Sequence, residues 1–479
     1  MTRHARRIVL SLFAFSCITT SSAALAQSDD GDAKLDIIQQ ELDRLRQENE
    51  SMRSEIDDLR LKTDDTWLTE RRADEIRGIV QDVLADADTR SSLQGSGLTA
   101  GWSDHFFLAS SDGAFKLVVD GKLQLRYLYN YRDDQPDQHR QGFENTRTQL
   151  TLRGHVVNRD WTYLVRGGFD RGTTPSSGTA TPTGNGDFNL LDAWVRFYID
   201  EYWSVRVGQY KAPFTREFLV DSAYLQGVER SVTDSTTSIG RTQGIELMYV
   251  DDANRWLVTF HDGAQDMLFG GSASLTGSNA PNTTALTRDS EFAITTRYER
   301  LIAGSWSQFV DLTSRPDEDF AALWGFAAHY RPFESEGEAS FGRDETPWVA
   351  WTTDLSLEYG GAAVFASFTH HYVDTIIQDV NVFGALIQGS MYLSPKWEAF
   401  ARFEYGWWDF DLNNFADLNL LTIGANYYID GHDIKWSTDM GFGLATIDTN
   451  WATDITGFRS EVNNNAPQVV FRTQLQLLF

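Results

Sequence analysis

The fold is decided by two stretches of alternating residues, KLQLRYLYNYR at 122–132 and VVFRTQLQLLF at 469–479. Apolar or aromatic side chains alternate there with polar or charged ones, which is the period of a β-strand with two different faces. The same period recurs in sixteen segments: 115–131, 143–157, 161–170, 188–200, 202–210, 242–251, 255–262, 291–300, 323–331, 348–360, 362–373, 381–393, 397–410, 418–430, 432–444 and 468–479. Residues 115–479 are therefore predicted to be all-β.

The connections between these segments alternate in length. Tight turns fall at 158–160, 200–201, 251–254, 360–361, 394–396 and 430–431, and long polar loops at 171–187, 211–241, 263–290, 332–347 and 445–467. Many strand ends carry an aromatic residue: Trp161, Trp203, Trp256, Trp324, Trp397, Tyr427, Trp436 and Phe479. Both features are typical of a transmembrane antiparallel β-barrel of the outer membrane. One connection, about 301–322, is long on the short-turn side, which this pattern does not explain.

A soluble β-sandwich is the alternative to the barrel. It is disfavoured because the apolar face runs through almost every strand and meets no second apolar sheet. No interior run of eighteen apolar residues exists and the mean hydropathy is -0.37, which excludes a protein with several membrane-spanning helices. The net charge of -27 argues against nucleic-acid binding, because an acidic chain repels phosphate backbones.

The N-terminal region has a different pattern. Residues 1–26 are predicted to be a secretory signal peptide, with a basic start, a short apolar centre and the cleavage site Ala24-Leu25-Ala26. A lipoprotein signal ending at Cys17, the single cysteine, fits less well because bulky Phe15 precedes it. Heptads within 30–90 predict an α-helical coiled coil with Asn49 in its seam, and small residues predict a linker over 91–114.

A family resemblance adds to this interpretation over residues 110–479. Residues 208–214, Gly-Gln-Tyr-Lys-Ala-Pro-Phe, resemble the entry to the constriction loop of the phosphate-selective porin O/P family. Residues 147–154, 191–197 and 423–429 resemble other strands of that family, and Phe479 resembles the terminal signal of outer-membrane proteins. The resemblance implies a sixteen-stranded barrel, a trimer and a loop folded into the lumen. An even number of strands with a periplasmic C-terminus then places the coiled coil in the periplasm.

Candidate site residues follow from the loop and from strand alternation. The predicted constriction loop, 211–241, contains Lys211, Arg216, Glu217, Asp221, Glu229, Arg230, Asp234 and Arg241. The basic residues predicted to line the pore are Lys122, Arg126, Arg147, Arg153, Arg166, Arg196 and Arg206. The acidic ones are Asp354, Glu358, Glu398, Glu404 and Asp439. The lumen is thus expected to have a basic wall and an acidic wall, which together set ion selectivity.

The expected function is that of an outer-membrane porin for passive diffusion of small hydrophilic solutes and ions, with an anion bias like that for phosphate. The arginines could instead pair with loop carboxylates and only support the constriction. The mixed loop charges favour a general or mildly anion-biased pore over a phosphate-specific one. Expected partners are outer-membrane lipid, further copies of the chain in a homo-oligomer (three rather than two is open), and small ions and solutes.

Two other functions remain as alternatives. The barrel could anchor a structural tether that contacts the cell wall through the coiled coil, or it could embed a hydrolase assembled from distant strands. No enzyme activity, catalytic residue, cofactor or metal is expected. His370 and His371 are adjacent on one strand and therefore point to opposite faces, so they cannot easily bind one metal ion.

Overall fold

A computed structural model describes residues 97–103, 105–132, 138–169, 188–263, 292–332, 347–374, 379–409, 417–448, 450–451, 455–459 and 467–479. The predicted signal peptide and coiled coil lie outside these ranges. Within the ranges, no helix is long and apolar enough to cross a membrane.

Sixteen antiparallel strands form a closed barrel. They are β3 (Phe115–Arg132), β4 (His139–Val156), β5 (Asn158–Gly168), β6 (Asn189–Tyr198), β7 (Trp203–Lys211), β8 (Arg241–Val250), β9 (Asn254–His261), β10 (Ala293–Ala303), β11 (Ala321–Arg331), β12 (Trp348–Tyr359), β13 (Ala362–Asp374), β14 (Asp379–Ser394), β15 (Trp397–Asp409), β16 (Leu418–Asp430), β17 (Ile434–Gly443) and β18 (Gln468–Leu478). Each strand pairs with the next, and β18 returns to β3 with Leu475 opposite Leu125. The prediction of a sixteen-stranded barrel is confirmed.

The two faces of the strands differ as the alternation predicts. Val207, Ile245, Phe260 and Ile387 each expose about half of their surface on the outside of the barrel. The alternate positions carry polar and charged side chains that are mostly buried inside, such as Arg297 at 0% exposure. An apolar outer band is what lipid chains solvate, so the barrel wall matches a bilayer.

Aromatic residues align across neighbouring strands at the end with the tight turns. Trp203 is opposite Tyr249, which is opposite Trp256, and Trp256 in turn is opposite Tyr298. A second row joins Trp397, Tyr427 and Trp436. Amphipathic rings at one height mark the headgroup level of a membrane. One of the tight turns, at Gly360 and Gly361, has φ of 55° and 90°, a left-handed backbone that glycine adopts without strain.

The described part of the predicted linker 91–114 is not irregular. It forms a hairpin of β1 (Leu98–Ser103) and β2 (His105–Ser110), and β2 pairs with β3 with Phe106 opposite Val119. The linker prediction is corrected for these residues: the Gly-, Ser- and Ala-rich stretch at their start suggests a flexible segment, but pairing with the N-terminal part of β3 holds them in a sheet.

Two connections fold inward. The connection between β7 and β8, residues 212–240, lies at the long-loop end of the barrel and contains α1 (Arg216–Leu219), a 3₁₀ turn (Ser222–Tyr224) and α2 (Val232–Thr237). The Asp221 and Ser231 side chains cap the last two by accepting the backbone N–H groups of Ala223 and Asp234. The connection between β10 and β11, residues 304–320, lies at the tight-turn end of the barrel and contains a 3₁₀ turn, Trp306–Phe309, capped by Ser305 and Gln308.

Candidate functional site: a constriction inside the barrel

Carboxylates of the constriction loop, residues 211–241, are held by cations of the first strands. Lys122 Nζ donates to Asp221 at 2.7 Å, and Arg166 Nη1 donates to the other oxygen of Asp221 at 3.0 Å. Arg147 forms an ion pair with Glu229. Arg126 Nη1 lies 3.4 Å from the same carboxylate. Two loop carboxylates thus fasten the loop to β3, β4 and β5.

The opposite side of the loop packs against the later strands, mainly through its backbone. Arg297 Nη1 on β10 donates to the Phe214 carbonyl at 2.7 Å, and His371 on β13 bonds to the Thr237 carbonyl at 2.9 Å. Glu404 on β15 accepts from the Thr233 N–H at 3.0 Å, and Lys435 Nζ on β17 donates to the Ala223 carbonyl at 2.9 Å. The loop therefore covers the inner surface of β10–β17.

The acidic residues predicted to line the pore are buried beneath this loop, each at 3% exposure or less. Four of them have polar partners: Asp354 pairs with Arg297, Glu398 accepts from Tyr428 Oη, Glu404 pairs with Arg402 and Asp439 pairs with Arg472. Both oxygens of Glu358 are buried without a hydrogen bond. The prediction of an acidic wall facing the aqueous passage is thus corrected, because the loop shields these groups from water.

The predicted basic residues all have carboxylate partners. The pairs not yet described are Arg126 with Glu144 at 2.5 Å, Arg153 with Asp120 at 2.7 Å, Arg166 with Asp192 at 3.6 Å, Arg196 with Glu246 at 3.7 Å and Arg206 with Glu246 at 2.7 Å. Arg126 and Arg196 are buried, at 1% and 3% exposure, so neither lines an open passage. The alternative in which arginines support the loop describes Lys122, Arg126, Arg147 and Arg166.

Cations outnumber carboxylates in one cluster on the early strands. Its cations are Lys122, Arg153, Arg166, Arg196, Arg206 and Arg241, and its carboxylates are Asp120, Asp192, Asp221 and Glu246. The side chains of Arg153, Arg166, Arg206 and Arg241 are 15–21% exposed. Of the carboxylates, Asp120 and Asp221 are exposed to a similar degree, 21% and 24%, whereas Asp192 and Glu246 are 7% and 0% exposed. Among these described residues, the partly exposed guanidinium groups outnumber the partly exposed carboxylates.

Three further predicted loop residues, Lys211, Glu217 and Arg230, hydrogen-bond within the loop itself. Lys211 Nζ donates to the Phe218 carbonyl at 2.7 Å, and Arg230 Nη2 donates to the Val220 carbonyl at 2.7 Å. Glu217 accepts from the Ser231 N–H at 2.9 Å. These bonds draw the two limbs of the loop together and give it a fixed shape.

Burial and neighbouring charges shift the pKa values of two loop carboxylates in opposite directions. Burial alone would raise the pKa of Glu229, but the Arg147 and Arg126 guanidinium groups lower that pKa to about 2. Burial and the negative charge of Glu217 raise the pKa of Asp234 to about 7. Glu229 is therefore a charged clamp at neutral pH, whereas Asp234 titrates there.

The sequence analysis did not single out Trp194 and Tyr210, two aromatic residues that contact arginines of the basic cluster. The Arg206 guanidinium lies 4.0 Å from the Tyr210 ring centre, and Arg196 lies 5.4 Å from that of Trp194. Such cation–π contacts hold an arginine in place without neutralising it. Tyr210 lies within the quoted 208–214 motif, so that motif contained the signal.

The adjacent histidines face apart, as alternation predicts. His371 points inward to the loop, whereas His370 stacks on Phe383 at 4.4 Å between ring centres. Among the described residues, no group of three or more His, Cys, Asp or Glu side chains is arranged to hold a metal ion.

Comparisons with known proteins agree with this geometry. Residues 118–308 match the family model for phosphate-selective porin O and P. Over these residues the chain is similar to that family, and it is a porin. The porin has sixteen strands closed around an inward-folded loop, and its fold is that of an outer-membrane channel for passive diffusion. No curated protein sequence matches it.

Two solved structures share the porin's fold at low sequence identity. The anion-selective porin from Comamonas acidovorans has a TM-score of 0.50 and 12% identity, and the match covers 76% of this chain and 99% of that one. The outer-membrane channel DcaP of Acinetobacter baumannii has a TM-score of 0.51 and 12% identity, covering 79% and 100%. At this identity the likeness concerns the fold alone.

Proposed function

We propose that this porin is a diffusion channel biased toward small anions, and that its aqueous passage runs along the basic cluster on β4–β8. The observation that carries the proposal is the unequal exposure of the two walls. The constriction loop covers the charges of β10–β17, and in the described cluster on the remaining wall the partly exposed guanidinium groups outnumber the partly exposed carboxylates, Asp120 and Asp221. A low-dielectric barrel focuses their field on the passage, which concentrates anions there.

The bias is expected to be moderate. Each exposed arginine is paired with at least one carboxylate, so part of its charge is compensated. The two cations in excess of four carboxylates leave the cluster with a modest net positive charge. This supports a general anion preference and does not require phosphate as the solute.

Arg153, Arg166 and Arg206 provide the sharpest test, because each carboxylate described as pairing with them keeps another hydrogen-bonding or ion-pair partner. Asp120 keeps His105, Asp221 keeps Lys122, and Glu246 keeps Arg196. The triple Arg→Gln variant should keep the fold and lower the chloride-to-potassium permeability ratio at least about twofold, because the local potential falls.

The assay is the reversal potential in a potassium chloride gradient across a planar bilayer. Arg300→Gln is the matched control, since Arg300 is exposed on the outer face of β10, and it should leave the ratio unchanged. A folded triple variant with the parent's permeability ratio would refute the proposal.

We also propose that the porin is a homotrimer in the outer membrane and that its residues 30–90 form a periplasmic coiled coil. The heptads and the family resemblance support this assembly. The channel activity does not depend on it, because the barrel encloses its own lumen. The function proposed for the barrel is solute passage, rather than the hydrolysis or cell-wall tethering considered as alternatives.

A further inference from the structure

The connection 304–320 joins β10 to β11 at the tight-turn end of the barrel, which the porin resemblance assigns to the periplasm. It is not a simple turn. Its 3₁₀ turn buries Trp306 and Phe309, at 5% and 4% exposure, against Leu301 and Leu323 at the ends of β10 and β11. Leu312, Thr313 and Ser314 are buried as well, at 3% exposure or less. A turn that only joins two strands would leave such residues in water, so this segment lies within the barrel mouth.

The segment contacts the constriction loop directly. Arg216 Nη2 donates to the Phe309 carbonyl at 2.5 Å, and Gln226 Nε2 donates to the Leu312 carbonyl at 2.6 Å. Leu312 also packs in one apolar cluster with Val220 and Leu225 of the loop. The extracellular loop and the periplasmic segment therefore meet inside the lumen.

Other contacts fix the segment to the barrel around the periplasmic mouth. Trp306 Nε1 donates to the Asp251 carbonyl at 3.1 Å, and its ring lies 4.5 Å from the Arg255 guanidinium. The carbonyl of Glu318 accepts from the Gly360 N–H at 3.1 Å, and Asp311 bonds to His432 at 3.0 Å. Thr313 bonds to Glu398 of β15. The anchors extend from the β8–β9 turn to the β16–β17 turn.

We propose that segment 304–320 is a second constriction element. It narrows the pore from the periplasmic side and holds the periplasmic face of the constriction loop in position. The segment packs against the periplasmic face of the constriction loop on the β9–β17 side, where the loop covers the acidic residues. The passage is thereby confined to the β4–β8 side at two heights. The proposal concerns pore size and depends on the porin architecture, not on the anion bias.

The main test replaces Ser305–Asp319 with an Asn-Gly turn, which suits a two-residue β-hairpin connection. Removing the segment should raise single-channel conductance at least about 1.5-fold, because the narrow region becomes shorter and wider. Polyethylene glycol added from the periplasmic side should enter at a larger molecular mass than in the parent. The matched control deletes an equal number of residues from the long connection 264–291, which joins β9 to β10 at the opposite end of the barrel, and should leave this periplasmic cut-off unchanged.

A milder variant keeps the segment but removes its contacts with the loop, so that the test does not depend on tolerance of the deletion. Arg216→Gln combined with Leu312→Ala should raise current noise and shift the periplasmic polymer cut-off in the same direction, by a smaller amount. The proposal requires both results. If the milder variant folds, as judged by heat-modifiable gel mobility, and has the parent's conductance, noise and polymer cut-off, the segment is not a constriction element. Unchanged conductance and cut-off in a folded deletion variant lead to the same conclusion.

Discussion

Glu229→Gln should release the constriction loop without unfolding the barrel. The Glu229 carboxylate is 1% exposed and pairs with Arg126 and Arg147. Removing one member of a buried ion pair costs about 3–5 kcal/mol. The lower end, about 3 kcal/mol, applies here because Arg126 keeps Glu144 and Arg147 keeps Gln124 Oε1 at 3.1 Å. Since each 1.4 kcal/mol is a factor of ten, the released loop should be about a hundredfold more populated.

The assay is single-channel recording at fixed voltage, in which loop release appears as brief changes in current. Glu144→Gln is the matched control, because it removes the other carboxylate partner of Arg126 but leaves the loop paired to Arg147. The control should show no additional brief changes in current. If Glu229→Gln also shows none, although gel mobility indicates that its barrel is folded, Glu229 does not clamp the loop.

The same clamp has a defined pH dependence. Because the pKa of Glu229 is lowered from 4.5 to about 2, its stabilising contribution is full above about pH 4.5 and is lost as the pH falls toward 2. The parent channel should therefore become noisy over that window, whereas Glu229→Gln should be noisy throughout. Equal pH profiles for the two proteins would contradict this assignment.

Two further predictions concern the loop interior and the N-terminal region. The pKa of Asp234 is raised to about 7, so its ionisation destabilises the loop as the pH rises from about 4 through 7; Asp234→Asn should remove the increase in current noise measured over that range. Deleting residues 30–90 should leave single-channel conductance unchanged and reduce the fraction of trimer in native mass spectrometry, and an undiminished trimer would show that the coiled coil does not support assembly.

The barrel could be predicted from the sequence because strand periodicity is a local property. In 122–132 and 469–479 every second side chain faces lipid, so the pattern survives in the chain without knowledge of the partners. The 208–214 motif likewise marked the entry to the constriction loop. The hairpin 98–110 was missed because the Gly-, Ser- and Ala-rich stretch at its start resembles a linker and its stability comes from pairing with β3.

The distribution of exposed charge could not be predicted in the same way. Alternation places Glu404 and Arg166 on the same inner face, but it does not show which of them the loop covers. That depends on contacts between residues distant in the chain, such as Thr233 with Glu404. The long connection near 301–322 had no explanation for the same reason, since Arg216 and Gln226 hold its residues 309 and 312 in place.

The central claim is that water and ions pass along the net basic wall of β4–β8. The reversal potential of the parent channel in a potassium chloride gradient tests it most directly. The account predicts a reversal potential of the sign set by chloride, with a magnitude well below that of ideal anion selectivity. A reversal potential of the sign set by potassium would contradict the account, because the current would then follow carboxylates that the structure places beneath the constriction loop.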